Sequence, residues 1–190
     1  MEQKTNVLES VGQTFSLIRD MIQSKAGKDH PEWTWIYELL ADHYAEVCAA
    51  RRTGKPLAWV NFGAPPELFH AMGIVPVVVD VLTGTLASSQ NAVGYVDTAE
   101  TRIPDYICSN NKILLGAALA GDIPIPDILV HPAHPCDSNL ATYPVIAAHF
   151  GFPYFCIDMP YFRSDRCIPF VAGELRKLVA MLEEVTNEKL

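Results

Sequence analysis

The sequence predicts an α/β fold: a Rossmann- or flavodoxin-like parallel sheet flanked by helices and preceded by an N-terminal helical segment. Short runs of apolar residues, bounded by Gly and Pro, begin after Gly54 and are nearly continuous, as in strands buried on both faces of a parallel sheet. Helical patterns alternate with these runs, which implies right-handed βαβ units. Before Gly54 only helical spacing occurs, so we expect a helical segment at 1–53 and an α/β lobe at 54–190.

The N-terminal segment is expected to contain two helices. Apolar residues recur at helical spacing over Glu9–Ser24, and a loop is expected at Lys25–Asp29. Pro31 suits the first turn of the second helix, with Asp29 or His30 near its cap. Gly54 and Pro56 end that helix. Its expected inward-facing residues are Trp33, Ile36, Leu39, Leu40, Tyr44 and Val47.

The lobe is expected to alternate strands with helices. The expected strands are Leu57–Val60, Val75–Val79, Ile128–Val130 and Tyr154–Ile157, with Tyr106–Cys108 as a further short strand. The expected helices are Pro66–Met72, Asn110–Ala120, Ser138–Phe150 and Phe170–Val185.

Composition narrows the class of protein. Of the 190 residues, 49% are hydrophobic and 19% are charged, which is typical of a globular chain with a core. The net charge of −8 and the pI near 5.1 argue against a nucleic-acid partner, because the sequence has no basic stripe that could neutralise phosphates. The apolar runs are shorter than the ~20 residues of a membrane-spanning helix. The N-terminus is polar, so we expect a cytoplasmic protein without a secretion signal or membrane partner.

Two acidic residues follow the first two predicted strands, at the edge where open α/β sheets bind ligands. Glu67 falls in the first turn of the helix after the first strand, where the helix dipole favours a carboxylate without any catalytic role. Asp80 ends the second strand and either caps the following segment or contributes to a site. Both are candidate catalytic residues.

Two of the five cysteines fall in strand-to-helix loops. Cys108 precedes one predicted helix and Cys136 precedes another, and a helix N-terminus suits a thiolate bound to metal. Cys48 falls within a predicted helix and Cys156 within a strand, so both are interpreted as core residues. Cys167 receives no role. Because the sequence lacks an export signal, we expect thiols rather than disulfides.

The loop from His131 to Asp137 allows another interpretation. His131, His134 and Cys136 are residue types that bind zinc or iron at a mononuclear site. The alternative is that both histidines form only local hydrogen bonds in a proline-rich loop. The spacing of Cys108 and Cys136 does not fit a zinc finger, which needs close pairs of ligands.

Several motifs, in order between Gly54 and Phe162, resemble the 2-hydroxyacyl-CoA dehydratase and benzoyl-CoA reductase subunit family. They begin with Gly-Lys-Pro before the first strand, followed by Pro-Glu-Leu and by Ala-Met-Gly-Ile-Val-Pro at the helix end. Cys108 with Ser109 and Gly116 resembles the segment of the family's first cluster cysteine. Later matches are Pro126–Val130 with Cys136-Asp137, Phe152-Pro153-Tyr154 and Ile157-Asp158.

The resemblance implies an amino-terminal lobe that shares a 4Fe–4S cluster with a second, similar lobe. Cys108 and Cys136 would be two of three cluster ligands, and the third would lie in a carboxyl-terminal lobe absent from this chain. The family acts by one-electron, ketyl-radical chemistry on a CoA thioester, either dehydrating a 2-hydroxyacyl-CoA or reducing an aromatic acyl-CoA. An ATP-dependent iron–sulfur activator protein supplies the electron. The implied partners are that activator and the missing lobe or a second homologous subunit.

Two positions depart from the family's substrate-binding subunits. Phe62 occupies the position of a serine that assists substrate deprotonation, and Asp80 replaces a glutamate. A reductase-like or electron-relaying subunit therefore stays open, and we expect the isolated chain to be inactive. The alternatives from other classes are a non-catalytic α/β binding or scaffold domain and a mononuclear zinc site at His131, His134 and Cys136.

Overall fold

The computed structural model describes residues 7–25 and 30–190, and the chain divides into two compact units. The first ends at Gly54 and contains α1 (Val7–Lys25) and α2 (Pro31–Thr53). Phe15 of α1 packs against two tyrosines of α2, with ring centroids 6.3 Å from Tyr37 and 5.4 Å from Tyr44. Gly54 ends α2 in a left-handed conformation, with a φ angle of +72°, and its N–H donates to the Ala50 carbonyl.

The predicted loop before α2 is only partly described. Lys25 is the last residue of α1 rather than part of the loop, and residues 26–29, including the candidate cap Asp29, lie outside the described residues. His30 occupies the cap position, but its side chain makes no capping hydrogen bond.

The predicted inward face of α2 is correct in its second half only. Tyr44 and Val47 are buried, whereas Trp33, Ile36 and Leu39 are 45%, 54% and 69% exposed. A pair of helices buries only one stripe of each partner. Hydrophobicity alone could not show which apolar residues of α2 lie off that stripe.

The second unit, Lys55–Leu190, is built on a four-stranded sheet in the order β2-β1-β3-β4, with every pair parallel. The strands are β1 (Leu57–Val60), β2 (Val75–Val78), β3 (Ile128–Pro132) and β4 (Tyr154–Ile157). In the register, Trp59 of β1 lies opposite Val77 of β2 and Leu129 of β3. This order is that of a flavodoxin-like sheet, which confirms the predicted α/β fold.

Six helices of the described chain belong to the second unit. They are α3 (Pro66–Ala71), α4 (Val79–Leu86), α5 (Ala92–Glu100), α6 (Ser109–Leu119), α7 (Asp137–Phe150) and α8 (Cys167–Thr186). α3, α6, α7 and α8 confirm the predicted helices to within a few residues, while α4 and α5 were not predicted. The predicted strand at Tyr106–Cys108 is wrong: this segment is a loop, in which the Ile107 N–H donates to the Pro104 carbonyl rather than to a neighbouring strand.

One face of the sheet packs against α8. Ala58 and Val60 of β1 and Ile128 and Val130 of β3 form a buried cluster with Leu178 and Leu182 of α8 and with residues around α3. The complete burial of β1 and of Ile128–Val130 in β3 explains why these two runs are continuous in apolar residues. Among the described helices, none is long and apolar enough to cross a bilayer.

The contact between α5 and α6 predicts a strong effect of one glycine. A Cβ atom built on Gly116 of α6 would lie 2.0 Å from the Tyr95 carbonyl oxygen of α5. Gly116→Ala is therefore expected to lower the free energy of unfolding by about 1–3 kcal/mol or more, because the helices must separate. Gly94→Ala on α5 is the control, since its Cβ meets nothing within 4 Å. The control should gain about 0.5–1 kcal/mol from helix propensity. Equal stability of the two variants in urea denaturation would contradict this close approach.

Candidate functional site

The strand order reverses beside β1, so the carboxyl ends of β1 and β3 form the topological switch point where such sheets bind ligands. The loop after β1 closes onto β3, because the Asn61 N–H donates to the Val130 carbonyl at 3.1 Å. The loop after β3 is joined to β4 in the same way: the Ala133 N–H donates to the Ile157 carbonyl at 2.9 Å.

Asp80, in the first turn of α4, organises the loop after β1. Its two carboxylate oxygens accept hydrogen bonds from Asn61 Nδ2 at 3.1 and 2.9 Å, and one also accepts from the Phe62 N–H at 2.9 Å. Asn61 is buried, and its Oδ1 accepts from the Gly63 N–H at 3.2 Å. Asp80 thus satisfies a buried amide and fixes the backbone at the switch point.

Cys108 is the N-cap residue of α6 and is exposed. The loop that carries it is held by Lys112, whose side chain is buried in the first turns of α6. Lys112 Nζ donates to Glu100 Oε1 and to the Asp105 carbonyl, each at 2.7 Å. These two interactions join the end of α5 and the loop to α6, so the Cys108 thiol lies on a segment that is held in place.

Cys136 is the N-cap residue of α7 and is half-buried. It follows a cis peptide bond between His134 and Pro135, and its carbonyl accepts from the Asn139 N–H at 3.1 Å. The ring of His134 lies 3.7 Å from that of Tyr161, between centroids, in the segment after β4. Cys108 and Cys136 thus occupy equivalent places at the starts of α6 and α7, which pack together.

Tyr143 of α7 is a buried residue whose ring packs against that of His131. Burial raises the pKa of its hydroxyl, and the negative charge of Asp80 raises it further. The thiols of Cys136 and Cys108 act in the same direction, while a hydrogen bond with the Asn61 side chain opposes them.

His131 is not available to a mononuclear zinc site in this arrangement. Its buried ring is enclosed by Tyr143 and Tyr154, with centroids 5.0 and 5.7 Å away, and its Nδ1 lies 2.9 Å from the Pro132 carbonyl, to which it donates. Burial lowers the pKa of the imidazole, so the ring is neutral at pH 7. Within residues 7–25 and 30–190, no three His, Cys, Asp or Glu side chains are grouped to hold a metal ion. The described residues therefore do not form the zinc site at His131, His134 and Cys136.

Glu67 lies where the sequence predicted, in the first turn of α3, and is exposed. Its position matches the helix-dipole interpretation better than a catalytic one.

The remaining cysteines lie elsewhere. Cys48 in α2 and Cys156 in β4 are half-buried, and burial raises the pKa of both thiols. Cys167 begins α8, where its Sγ donates to the Phe162 carbonyl at 3.0 Å and accepts from the Ser164 N–H at 3.2 Å.

The donor set suits part of an iron–sulfur cluster. Two thiols, neither in a disulfide and neither fully buried, begin neighbouring helices at the ligand-binding edge of the sheet. Thiolates are the ligands that iron–sulfur clusters prefer. Within the described residues no third His, Cys, Asp or Glu side chain is grouped with Cys108 and Cys136, so the residues present fit two ligands and not a complete set.

Asn61 and Tyr143 are site residues that we did not predict. A polar residue directly after a fully apolar strand was an available signal for Asn61. Tyr143 gives no such signal, because an aromatic residue inside a predicted helix is indistinguishable from core.

The Asp80 hydrogen bonds generate a prediction. Asp80→Ala leaves the buried Asn61 amide without its acceptor, which should cost about 1–3 kcal/mol of unfolding free energy. It should also speed hydrogen exchange of the Phe62 amide. Asp97→Ala, which removes an exposed carboxylate from α5, is the control and should change neither quantity. Unaltered Phe62 exchange in Asp80→Ala would show that Asp80 does not hold the loop.

Comparison with known proteins identifies the family. The family model for the 2-hydroxyglutaryl-CoA dehydratase D-component matches residues 61–190. The (R)-2-hydroxyisocaproyl-CoA dehydratase alpha subunit of Clostridioides difficile is 23% identical over 164 residues, covering 81% of this chain and 40% of the relative. The lactoyl-CoA dehydratase subunit alpha of Anaerotignum propionicum is 25% identical over 170 residues, covering 76% and 40%.

A third relative, the (R)-phenyllactyl-CoA dehydratase alpha subunit of Clostridium sporogenes, is 24% identical over 178 residues, covering 88% of this chain and 44% of the relative. The chain thus spans about 40% of the length of the curated relatives it matches. The family match covers both cysteine segments and most of the α/β unit. The chain belongs to the 2-hydroxyglutaryl-CoA dehydratase D-component family.

Proposed function

We propose that the chain is the amino-terminal lobe of an iron–sulfur 2-hydroxyacyl-CoA dehydratase subunit, in which Cys108 and Cys136 bind a 4Fe–4S cluster. The observation that carries this proposal is the placement of both thiols at the starts of α6 and α7, two helices that pack together beside the ligand-binding edge of the sheet. Family membership supports it, because the relatives are named as dehydratases of 2-hydroxyacyl-CoA thioesters.

The cluster, when bound, would supply one-electron chemistry at the thioester carbonyl, by way of a ketyl radical on the substrate. The chain's own residues provide the setting. Cys108 and Cys136 offer thiolates at helix N-termini, where the backbone N–H groups favour negative charge. Burial and nearby negative charge raise the pKa of Tyr143, so its hydroxyl stays protonated at neutral pH.

The loop after β1 helps to form the wall of the site but supplies no group that transfers a proton. Phe62 is 64% exposed and has no group that could deprotonate a substrate. Asp80 is occupied by Asn61 and the Phe62 N–H, so its role is to position the loop. Deprotonation of a 2-hydroxyacyl substrate would therefore need a group from outside this chain, as in an electron-relaying subunit.

The substrate class follows from the relatives. The substrates in the names of the relatives, 2-hydroxyisocaproyl-CoA, lactoyl-CoA and phenyllactyl-CoA, share the 2-hydroxyacyl thioester. Reduction of an aromatic acyl-CoA, which the sequence also suggested, lacks this support. The relatives are alpha subunits, so a second subunit is a proposed partner, together with a carboxyl-terminal lobe that supplies the third ligand and an ATP-dependent iron–sulfur activator.

A second candidate is a non-catalytic α/β binding or scaffold domain. The observation that favours it is the incomplete ligand set within the described residues, combined with an Asp80 whose oxygens are already occupied. In such a protein Cys108 and Cys136 would carry no metal.

Anaerobic reconstitution separates the two candidates. The chain is incubated with ferrous iron, sulfide and an excess of a small thiol that can act as the third ligand, and bound iron, acid-labile sulfide and visible absorbance are measured. Wild type should become brown, and Cys108→Ala and Cys136→Ala should each lose most of the iron. Cys156→Ala, at a half-buried cysteine in β4, is the matched control and should load like wild type. Equal iron in all four proteins would contradict the assignment.

A further inference from the structure

A buried pair of amides joins the two helices that begin at Cys108 and Cys136. Asn111 Nδ2 of α6 donates to Asn139 Oδ1 of α7 at 3.0 Å, and the two residues, here called the asparagine pair, are 6% and 3% exposed. The proposed chemistry uses neither of them.

The two members occupy equivalent places. Asn111 is three residues after Cys108, and Asn139 is three residues after Cys136, so each lies in the first turn of its helix. The Cys136 carbonyl accepts from the Asn139 N–H, and the Cys108 carbonyl accepts from the Lys112 N–H, both at 3.1 Å. Each thiol-bearing residue is therefore connected to its asparagine by one hydrogen-bonded turn.

Stability alone does not account for amides at this position. The neighbouring residues of α6 from Ile113 to Ala118 are buried and almost all apolar, and apolar residues would pack the two helices without a desolvation cost. A hydrogen bond between buried amides adds what apolar contact lacks, namely a fixed distance and direction. It therefore sets the register of α6 against α7.

We propose that the asparagine pair positions the Cys108 and Cys136 thiols, fixing their separation so that both reach one shared ligand. The inference deepens the proposed function and rests on it for the identity of that ligand. Preorganised donor atoms bind a common partner with a smaller loss of conformational freedom. The pair thus adds two positioning residues to a site whose ligands are the cysteines.

The test measures the thiol separation in the metal-free chain. Reduced protein is treated with a series of bis-maleimides of increasing spacer length, and the Cys108–Cys136 cross-link is quantified by peptide mass spectrometry. Wild type should show one sharp optimum of spacer length. Asn111→Leu, Asn139→Leu and the double variant should each show a broad profile, with the yield at the wild-type optimum reduced severalfold.

Stability measurements separate positioning from a purely structural role. Each single variant leaves one buried amide unsatisfied and should unfold at a lower urea concentration than wild type, whereas the double variant removes both partners and should recover most of that loss. We therefore expect the double variant to be stable and yet to show a broad profile of cross-link yield against spacer length. Asn110→Leu, at an exposed residue of the same turn, is the control and should match wild type in both measurements.

A conservative variant shows whether a changed cross-linking profile arises from the lost hydrogen bond or from loss of folding. Asn139→Asp keeps the accepting oxygen and should retain the sharp wild-type optimum. A double leucine variant with the wild-type profile would overturn the inference, as would the absence of any Cys108–Cys136 cross-link in wild type. A sharp wild-type profile in a chain that never binds iron would instead refute the proposed function and leave the positioning role intact.

Discussion

The parallel pairing of β1 with both β2 and β3 is the constraint on which the site depends. Parallel strands deliver their carboxyl ends to one edge, and the reversal of order beside β1 opens that edge between neighbouring loops. The buried residues of β1 and β3 give this pairing its stability. Asp80 after β2 can reach Asn61 after β1 only because their strands are adjacent and in register.

The polar groups buried at that edge are paired with one another across neighbouring elements. Asp80 satisfies the Asn61 amide, Lys112 is paired with Glu100, and Asn111 is paired with Asn139. Each pair joins two elements whose relative placement decides where a loop or thiol lies. An unpaired member would be costly in the same surroundings, so the satisfied network favours one arrangement of the edge. Cys108 is exposed and Cys136 is half-buried at the same edge.

Sequence reasoning located the sheet and the cysteine loops but missed the groups that connect them. Fully buried parallel strands have continuous apolar runs, so β1 and β4 were predicted with their observed bounds. Helix α4 was missed because it follows β2 without an intervening loop, and the start of a helix is hidden when both segments are apolar. Pairings such as Asn111 with Asn139 join residues far apart in sequence and depend on helix packing that no local pattern records. Likewise, no local pattern showed that two tyrosines from other positions enclose His131, which the described residues do not group with His134 and Cys136.

A cluster shared between this chain and a partner requires that neither part binds it alone. The most direct measurement is anaerobic reconstitution of the chain, without added small thiol, in the presence and absence of the carboxyl-terminal part of a relative's alpha subunit. Iron and acid-labile sulfide are counted in each sample. We predict that both bind only when the second part is present and that Cys108→Ala and Cys136→Ala abolish this binding. Absence of iron under both conditions would contradict the shared cluster and favour the scaffold domain.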